Sequence, residues 1–402
     1  MAERNREADW NVIVSLLPEG WRALSTEMGL VPKLAPHIGQ KVRDIEIALR
    51  LVLHYVAQRG SMRMTTTTAA AAGIVDITQP AFFKWMFKIG PYLEALVTRM
   101  VEPGRFDSEQ WGGYRLVVAD ATTVERAGAK GTTARLHYAL HLADLSPRFV
   151  RVTDETIGET MRNFDLEPGE LWIVDRGYCN PQGVLHTVRR GADVLVRYNR
   201  HTLSLYEEAG ARLEIPGLLA KTWKRGRAEE KEVRVILSDG SQAFARLCWL
   251  QLPTAQAQKA RARAVRAGTT DAVELDCAEY NAVLTTAPST KLSAEQAIEL
   301  YRARWQVELD FKREKSIGQL DMLPTLLPQT IRSWLCAKVL LSLIARKLAS
   351  QPVAIPPSGL GDVIFSAIAP PTHATRSRRR ALVRAAACMG HDPLRDPARH
   401  SA

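Results

Sequence analysis

Two aspartates in this chain end otherwise apolar runs. Asp120 follows Leu116-Val117-Val118-Ala119, and Asp175 follows Leu171-Trp172-Ile173-Val174. Both precede residues suited to leaving a sheet, Ala121-Thr122-Thr123 and Arg176-Gly177-Tyr178. In open α/β sheets functional groups collect at the carboxyl ends of strands, where a carboxylate is well placed to hold a divalent metal. A strand-end aspartate can also simply cap a turn. The interruption of two apolar runs by the same residue type favours the functional reading.

A third carboxylate comes from a helical segment, Leu292 to Ser316, with Ser293 and Gln296 at capping-box spacing. At about 100° per residue, with Tyr301 at zero, Arg304 falls at about 300°, Lys315 at about 320° and Glu308 at about 340°. Leu300, Val307 and Phe311 lie on one side of this row and Ile298, Trp305 and Leu309 on the other. A surface helix should carry its polar face opposite a single apolar stripe. A polar row between two stripes suits a helix packed on both flanks and pointing that row into a cleft. The competing reading is a solvated row held by Arg304–Glu308 pairing at i,i+4, and the flanking stripes count against it. Asp310 comes out at about 180° and Glu314 at about 220°, which selects Glu308 among its acidic neighbours.

Three carboxylates gathered in this way suit phosphodiester cleavage with two metal ions roughly 3.5–4 Å apart, one activating the nucleophile and the other stabilising the leaving oxygen. Hard Mg²⁺ or Mn²⁺ prefers carboxylate oxygens and retains some water. Asp120, Asp175 and Glu308 would supply three anionic anchors, and Tyr301, Arg304 and Lys315 would hold DNA phosphates.

The elements that must position these groups are legible in outline. Residues 1–105 read as helical. Within them an alanine-rich helix ends near Gly73, and a second helix starts at Thr78 and Pro80 with Lys84 and Lys88 outward; this is either a helix-turn-helix reader or part of a small helical bundle. From Tyr114 short β-type runs appear at 115–120, 134–145, 149–155, 170–178 and 192–199, with a helical stretch at 181–190 before the last. Strands mixed with helices predict an α/β layer structure. Residues 200–287 form a second β-rich block, read as an insertion and not a continuation of the sheet; LEIPGLLAKTWK (213–224) within it is strand-like, and a basic helical patch covers 257–268. A further helix is predicted over 329–349, followed by a Pro-rich (352–371) and then basic (377–384) tail.

With 402 residues the chain has material for two to three domains. Lys and Arg total 54 against 43 Asp and Glu, a net +11 that favours a polyanionic partner, most often nucleic acid. The most apolar stretch, Trp334 to Ala345, is too short for a membrane span and contains Lys338. The amino terminus has charges of both signs and no apolar core segment, which argues against a secretion signal. Five scattered cysteines without CxxC spacing fit a reducing cytoplasm and neither a disulfide framework nor a zinc site. His137 and His141 lie in a strand-like segment, where their spacing carries little weight as a metal pair. Trp111, Trp172, Trp249 and Trp305 read as core, and the patches at 259–266 and 376–384 as either DNA contacts or solvated surface.

Tyr301, Arg304, Glu308 and Lys315 have the Y-x2-R-x3-E-x6-K spacing of DDE transposases of bacterial insertion sequences. VVADATTV (117–124) resembles that family's first-aspartate strand, IVDRGY (173–178) its second motif, and VLVRYN (194–199) the strand bearing a DNA-contacting arginine, here Arg197. The similarity covers about 40–350, with four motifs in the family's order. It implies an RNase H-like catalytic core (106–199 and 288–350) interrupted by the β-rich insertion (200–287); the helical residues 1–105 before it read as a candidate DNA-binding domain, and the tail (351–402) follows. It also implies Mg²⁺- or Mn²⁺-dependent cutting at terminal inverted repeats, with two ions held by Asp120, Asp175 and Glu308. Attack of the 3′-hydroxyl on target DNA would follow, within a homodimer bound to double-stranded DNA in the bacterial cytoplasm, at the nucleoid. Relatives that cut through a hairpin have a tryptophan before the strand ending in Leu-Thr-x-x-Pro; here Tyr280-Asn281 precede AVLTTAP (282–288), a departure from the hairpin pattern in which Tyr280 either stacks on a base or belongs to the core. Two other readings compete with the enzyme: a DNA-binding descendant that no longer cuts, and a metal-dependent nuclease without preference for particular ends.

Overall fold

The computed structural model of the chain describes residues 10–30, 44–58, 60–101, 111–125, 131–219, 226–316, 323 and 328–350. Contacts divide them into two compact units, one drawn from 1–100, 123–134 and 312 onward, the other from 101–122 and 135–311. The Pro-rich and basic tail, with its 376–384 patch and Cys388, lies outside the described residues.

The first unit is helical. It holds α1 (10–16), α2 (Trp21–Glu27), α3 (Ile45–Ala57), α4 (Met62–Ala71), α5 (Gln79–Lys88) and α6 (Gly90–Met100). Helix starts follow the local chemistry: Asp44, Ser61 and Thr78 each accept a hydrogen bond from the amide three residues on. The pair α4–α5 around Gly73 is present, with Lys84 and Lys88 exposed and Phe82, Trp85 and Met86 buried. Its core includes Leu49, Leu53, Val56, Leu93 and Leu96, and Tyr55 meets Phe82 edge to face at 5.4 Å.

The second unit is built on an eight-stranded sheet. Its strands are β1 (Arg115–Val124), β2 (Ala134–His141), β3 (Pro147–Asp154), β4 (Glu170–Val174), β5 (Asp193–Arg197), β6 (Ala228–Ile236), β7 (Gln242–Gln251) and β8 (Tyr280–Thr285), in the order β3-β2-β1-β4-β5-β8-β7-β6. β1, β4 and β5 are parallel neighbours. Being covered on both faces, β4 is apolar except for Glu170, which is fully buried. That carboxylate accepts from Arg148 Nε (2.7 Å), Trp172 Nε1 (2.9 Å) and the Glu167 amide (2.9 Å), which satisfies the buried charge.

The helices of this unit are α7 (Pro181–Arg189), α8 (Ile215–Leu219), α9 (Thr254–Arg266), α10 (Ala272–Cys277), α11 (Ala294–Tyr301) and the first part of α12 (Trp305–Ser316). The last helix, α13 (Pro328–Ser350), belongs to the first unit and packs against α3, α5 and α6. Val117, Ala119, Trp172, Val174, Val194 and Val196 form one face of the sheet and share a core with Val184 and Leu185 of α7.

Two expectations are corrected. The block at 200–287 interrupts the chain but continues the sheet: β8 pairs antiparallel with β5, β7 with β8 and β6 with β7. Without β8, β5 would present an unpaired edge, which sheets avoid. LEIPGLL (213–219) is not a strand, since Ile215–Leu219 is helical.

Candidate active site

The sheet register brings the two aspartates level. Val118 lies opposite Ile173, so two residues further along each strand Asp120 faces Asp175. Val174 lies opposite Val196, so one step on, Asp175 faces Arg197. Side chains alternate faces along a strand, so Asp120 and Asp175 project from the face opposite the core shared with α7. Asp120 does not end its strand, however, since β1 runs on to Val124, where the Val124 carbonyl accepts from the Thr133 amide beyond the reach of β4. Asp175 does follow the last residue of β4 and opens a 3-10 turn at Arg176–Tyr178.

The segment carrying the third carboxylate starts as expected. Ser293 Oγ accepts from the Gln296 amide at 3.2 Å, and Gln296 Oε1 accepts from the Ser293 amide at 2.8 Å, completing the capping box of α11. Arg246 of β7 fixes the approach to it. Its buried guanidinium donates to the carbonyls of Ala287 (2.9 Å) and Leu292 (2.5 Å) and pairs with Glu230. The helix is not continuous: Arg302–Arg304 form a 3-10 turn between α11 and α12. A single wheel for 293–316 therefore misplaces residues on either side of the break, because a 3-10 turn advances about 120° per residue. Of the two apolar stripes, Leu300, Val307, Phe311 and Ile298 are buried, whereas Trp305 is 52% exposed. Trp305 is thus not core, contrary to expectation; Trp172 and Trp249 are buried, and Trp111 is half-buried.

Arg304 sits among all three carboxylates. Its Nη2 donates to Glu308 Oε1 at 2.5 Å, its Nη1 lies 3.8 Å from Asp120 Oδ2, and its Nε lies 3.8 Å from Asp175 Oδ1. Tyr301 Oη donates to Asp175 Oδ1 at 3.2 Å, and the guanidinium lies 5.9 Å from the Tyr301 ring centre. Asp120 is 17% exposed and Arg304 16%, against 42% and 44% for Asp175 and Glu308. Burial pushes the Asp120 carboxyl up to about 7; Asp175 and Glu159 push the same way, while the Ala121 amide at 2.8 Å and Arg304 oppose it. Burial and Asp175 also raise the Tyr301 hydroxyl.

Glu159 is an acidic neighbour that the sequence reading missed. It lies in the loop after β3, half-buried, and its carboxyl is raised by burial and by Asp175. Arg135 Nη1 holds this loop by donating to the Ile157 carbonyl at 2.6 Å. A Cβ on Gly177 would stand 2.2 Å from Glu159 Oε2, so the glycine two residues after Asp175 makes room for this carboxylate. That glycine was the available signal, since a close backbone approach calls for one.

The remaining candidates are placed as follows. Arg197 is exposed at the end of β5 and contributes to the field at Tyr301. Lys315 falls in the last turns of α12, and its side chain lies outside the described residues. Tyr280 opens β8, packs against the core and donates through Oη to the Leu219 carbonyl at 3.0 Å. His137 and His141 are fully buried in β2, where burial lowers both to about 4. Arg200 and Arg261 are tied to acids of α10 and its end, Glu274 and Asp276.

Three carboxylates are a hard-oxygen donor set suited to Mg²⁺ or Mn²⁺, and their convergence on one guanidinium shows that the pocket already accommodates positive charge. The fit is in charge and chemistry; around Arg304 the acids stand apart, and among the described residues no three His, Cys, Asp or Glu side chains stand close enough to share one ion.

Residues 111–344 match the family model described as "Transposase DDE domain". InsL of insertion sequence element IS186A from Escherichia coli (strain K12) is 26% identical over 364 residues, covering 86% of this chain and 98% of that protein. The transposase of insertion sequence element IS421 from Escherichia coli is 26% identical over 365 residues, with the same coverage. The transposase of insertion sequence element IS231F from Bacillus thuringiensis subsp. israelensis is 26% identical over 240 residues, 53% of this chain and 49% of that protein. With the family model spanning more than half its length and two carboxylate-bearing strands and the signature helix inside the match, the chain belongs to the DDE transposases of insertion sequences.

Proposed function

We propose that the protein cuts DNA at the terminal inverted repeats of an insertion sequence and joins the freed 3′-hydroxyl to target DNA, a cut-and-paste transposition. The observation that carries this reading is the convergence of Asp120, Asp175 and Glu308, from two strands and a helix, around Arg304. The parallel β1-β4-β5 neighbours inside the order β3-β2-β1-β4-β5 support an RNase H-like core.

In this reading Asp120, Asp175 and Glu308 hold two Mg²⁺ or Mn²⁺ ions. Bound there, the ions would activate water or a 3′-hydroxyl and stabilise the leaving oxygen. Tyr301, Arg304, Lys315 and the exposed Arg197 grip phosphates near the cleaved end, fixing register without reading sequence. Tyr301 also orients Asp175 through its hydroxyl. Tyr280 has a base-stacking role only where its ring can leave the packing that its bond to Leu219 now holds. The helical residues 1–105 bind the repeat, a homodimer brings the two ends together, and the reaction takes place in the cytoplasm on nucleoid DNA. No described helix is long and apolar enough to cross a membrane.

The test is mobilisation of a marker flanked by the element's ends from a donor plasmid. The wild type mobilises it. Glu308→Gln drops mobilisation to background while the purified variant still shifts a repeat duplex. A variant that mobilises the marker as well as the wild type does overturns the assignment.

A further inference from the structure

Arg304 is in an unusual position for a residue read as a phosphate grip. Its three nitrogens face the three carboxylates, and one good hydrogen bond, to Glu308, accompanies two charge contacts of 3.8 Å. Its Nη1 is buried and makes no hydrogen bond among the described residues. A guanidinium has five donors in a fixed fork that suits carboxylate or phosphate pairs at hydrogen-bonding distance. Arg304 is therefore held mainly by the surrounding negative charge, with donor capacity to spare. The carboxylates it faces are the ones read as metal ligands, and among the described residues no three acids stand close enough to share one ion. It ends a short 3-10 turn, off the strands of the sheet, and retains 16% exposure, so its head can leave the carboxylates by a change of rotamer that leaves the sheet in place.

We propose that Arg304 is an exchangeable counter-cation: it neutralises Asp120, Asp175 and Glu308 in the protein alone, competes there with divalent metal, and is drawn onto a DNA phosphate when DNA arrives. Metal and DNA then bind cooperatively, each clearing the way for the other through one side chain. This couples metal loading to DNA and keeps the DNA-free chain poorly loaded. The inference rests on the reading of the three carboxylates as metal ligands.

The test is Mn²⁺ binding to the full chain, followed by electron paramagnetic resonance of the free ion at pH 8, with and without a duplex carrying the element's terminal repeat. For the wild type the duplex tightens Mn²⁺ binding, and by linkage Mn²⁺ tightens duplex binding by the same factor. Arg304→Met, which keeps the stem and removes the charge, binds Mn²⁺ about tenfold or more tighter than the wild type without DNA, and the duplex adds much less. Arg304→Gln behaves likewise and serves if the first variant melts at a lower temperature than the assay. Glu308→Gln separates this inference from the reading beneath it. If Glu308→Gln weakens Mn²⁺ binding but both Arg304 variants bind Mn²⁺ no tighter than the wild type, the ligand reading stands and the exchange is wrong. If Glu308→Gln leaves Mn²⁺ binding unchanged, the ligand reading fails and takes the exchange with it. A wild type whose Mn²⁺ affinity ignores the duplex also overturns the exchange.

Discussion

At the scale of single residues, Asp120 carries the tightest constraint. It is a mostly buried carboxylate beside two other acids, with its carboxyl pushed up to about 7 from 3.8 by burial, Asp175 and Glu159 against the Ala121 amide and Arg304. A carboxyl raised in the fold favours the protonated form there, so its stabilising contribution is complete below 3.8 and is lost as pH rises towards 7. In EDTA the unfolding free energy should therefore fall across that window, with a slope from this group of up to about 1.4 kcal/mol per pH unit, and the melting temperature should fall with it. Asp120→Asn should remove that part of the slope and melt higher than the wild type above pH 7; a variant with an unchanged pH profile would contradict the burial argument. The aspartates and Glu308 were legible in the sequence because each interrupts or borders an apolar pattern. Glu159 was not, because it sits in a patternless loop, and only the space at Gly177 points to it. Arg304 was legible as a cation beside Glu308, but its approach to Asp120 and Asp175 depends on strands more than a hundred residues away.

At the scale of elements, the site depends on how the sheet delivers α11 and α12. Ser293 starts α11 with a complete capping box, visible in the sequence as Ser and Gln at the right spacing. Ser293→Ala should cost about 1 kcal/mol in denaturant unfolding, with little effect on the remaining chemistry. Arg246 is a different device: it lies on β7 and satisfies the carbonyls of Ala287 and Leu292 on the chain leading into α11. Arg246→Leu leaves two buried carbonyls without their donor and should cost about 2–3 kcal/mol, a loss measurable in the same unfolding experiment. A cost under about 0.5 kcal/mol, within the range of ordinary surface changes, would show that this tie is not structural. Sequence periodicity found α11 and α12 but could not find the 3-10 break at Arg302–Arg304, since three residues of altered pitch change few apolar positions. It also separated β6–β8 from the sheet, because strand pairing is a long-range choice that local pattern does not encode.

At the scale of the molecule, a helical unit and a sheet-based unit are joined in one chain whose surplus of +11 suits a polyanion. Duplex affinity measured by fluorescence anisotropy should fall steeply with salt, by about 10³-fold or more between 50 and 200 mM if six or more phosphates are neutralised. An affinity that salt leaves unchanged would place the binding energy elsewhere than in charge. The division into a helical amino-terminal region and an α/β region followed from the change of pattern near Tyr114, whereas the return of α13 to the first unit did not. That return is made by packing against α3, α5 and α6, and nothing in a local window announces which helices will be partners.

The central claim is that Asp120, Asp175 and Glu308 act together on DNA at the element's ends, and cleavage of an end-labelled duplex spanning the repeat boundary tests it most directly. Wild-type protein in Mg²⁺ or Mn²⁺ should cut at the boundary and leave a 3′-hydroxyl, EDTA should stop the reaction, and Asp120→Asn, Asp175→Asn and Glu308→Gln should each bind the duplex without cutting it. Cutting that survives any one of these substitutions, or a wild type that binds the repeat and never cuts it in either metal, would contradict the account and leave the site as a grip on DNA alone.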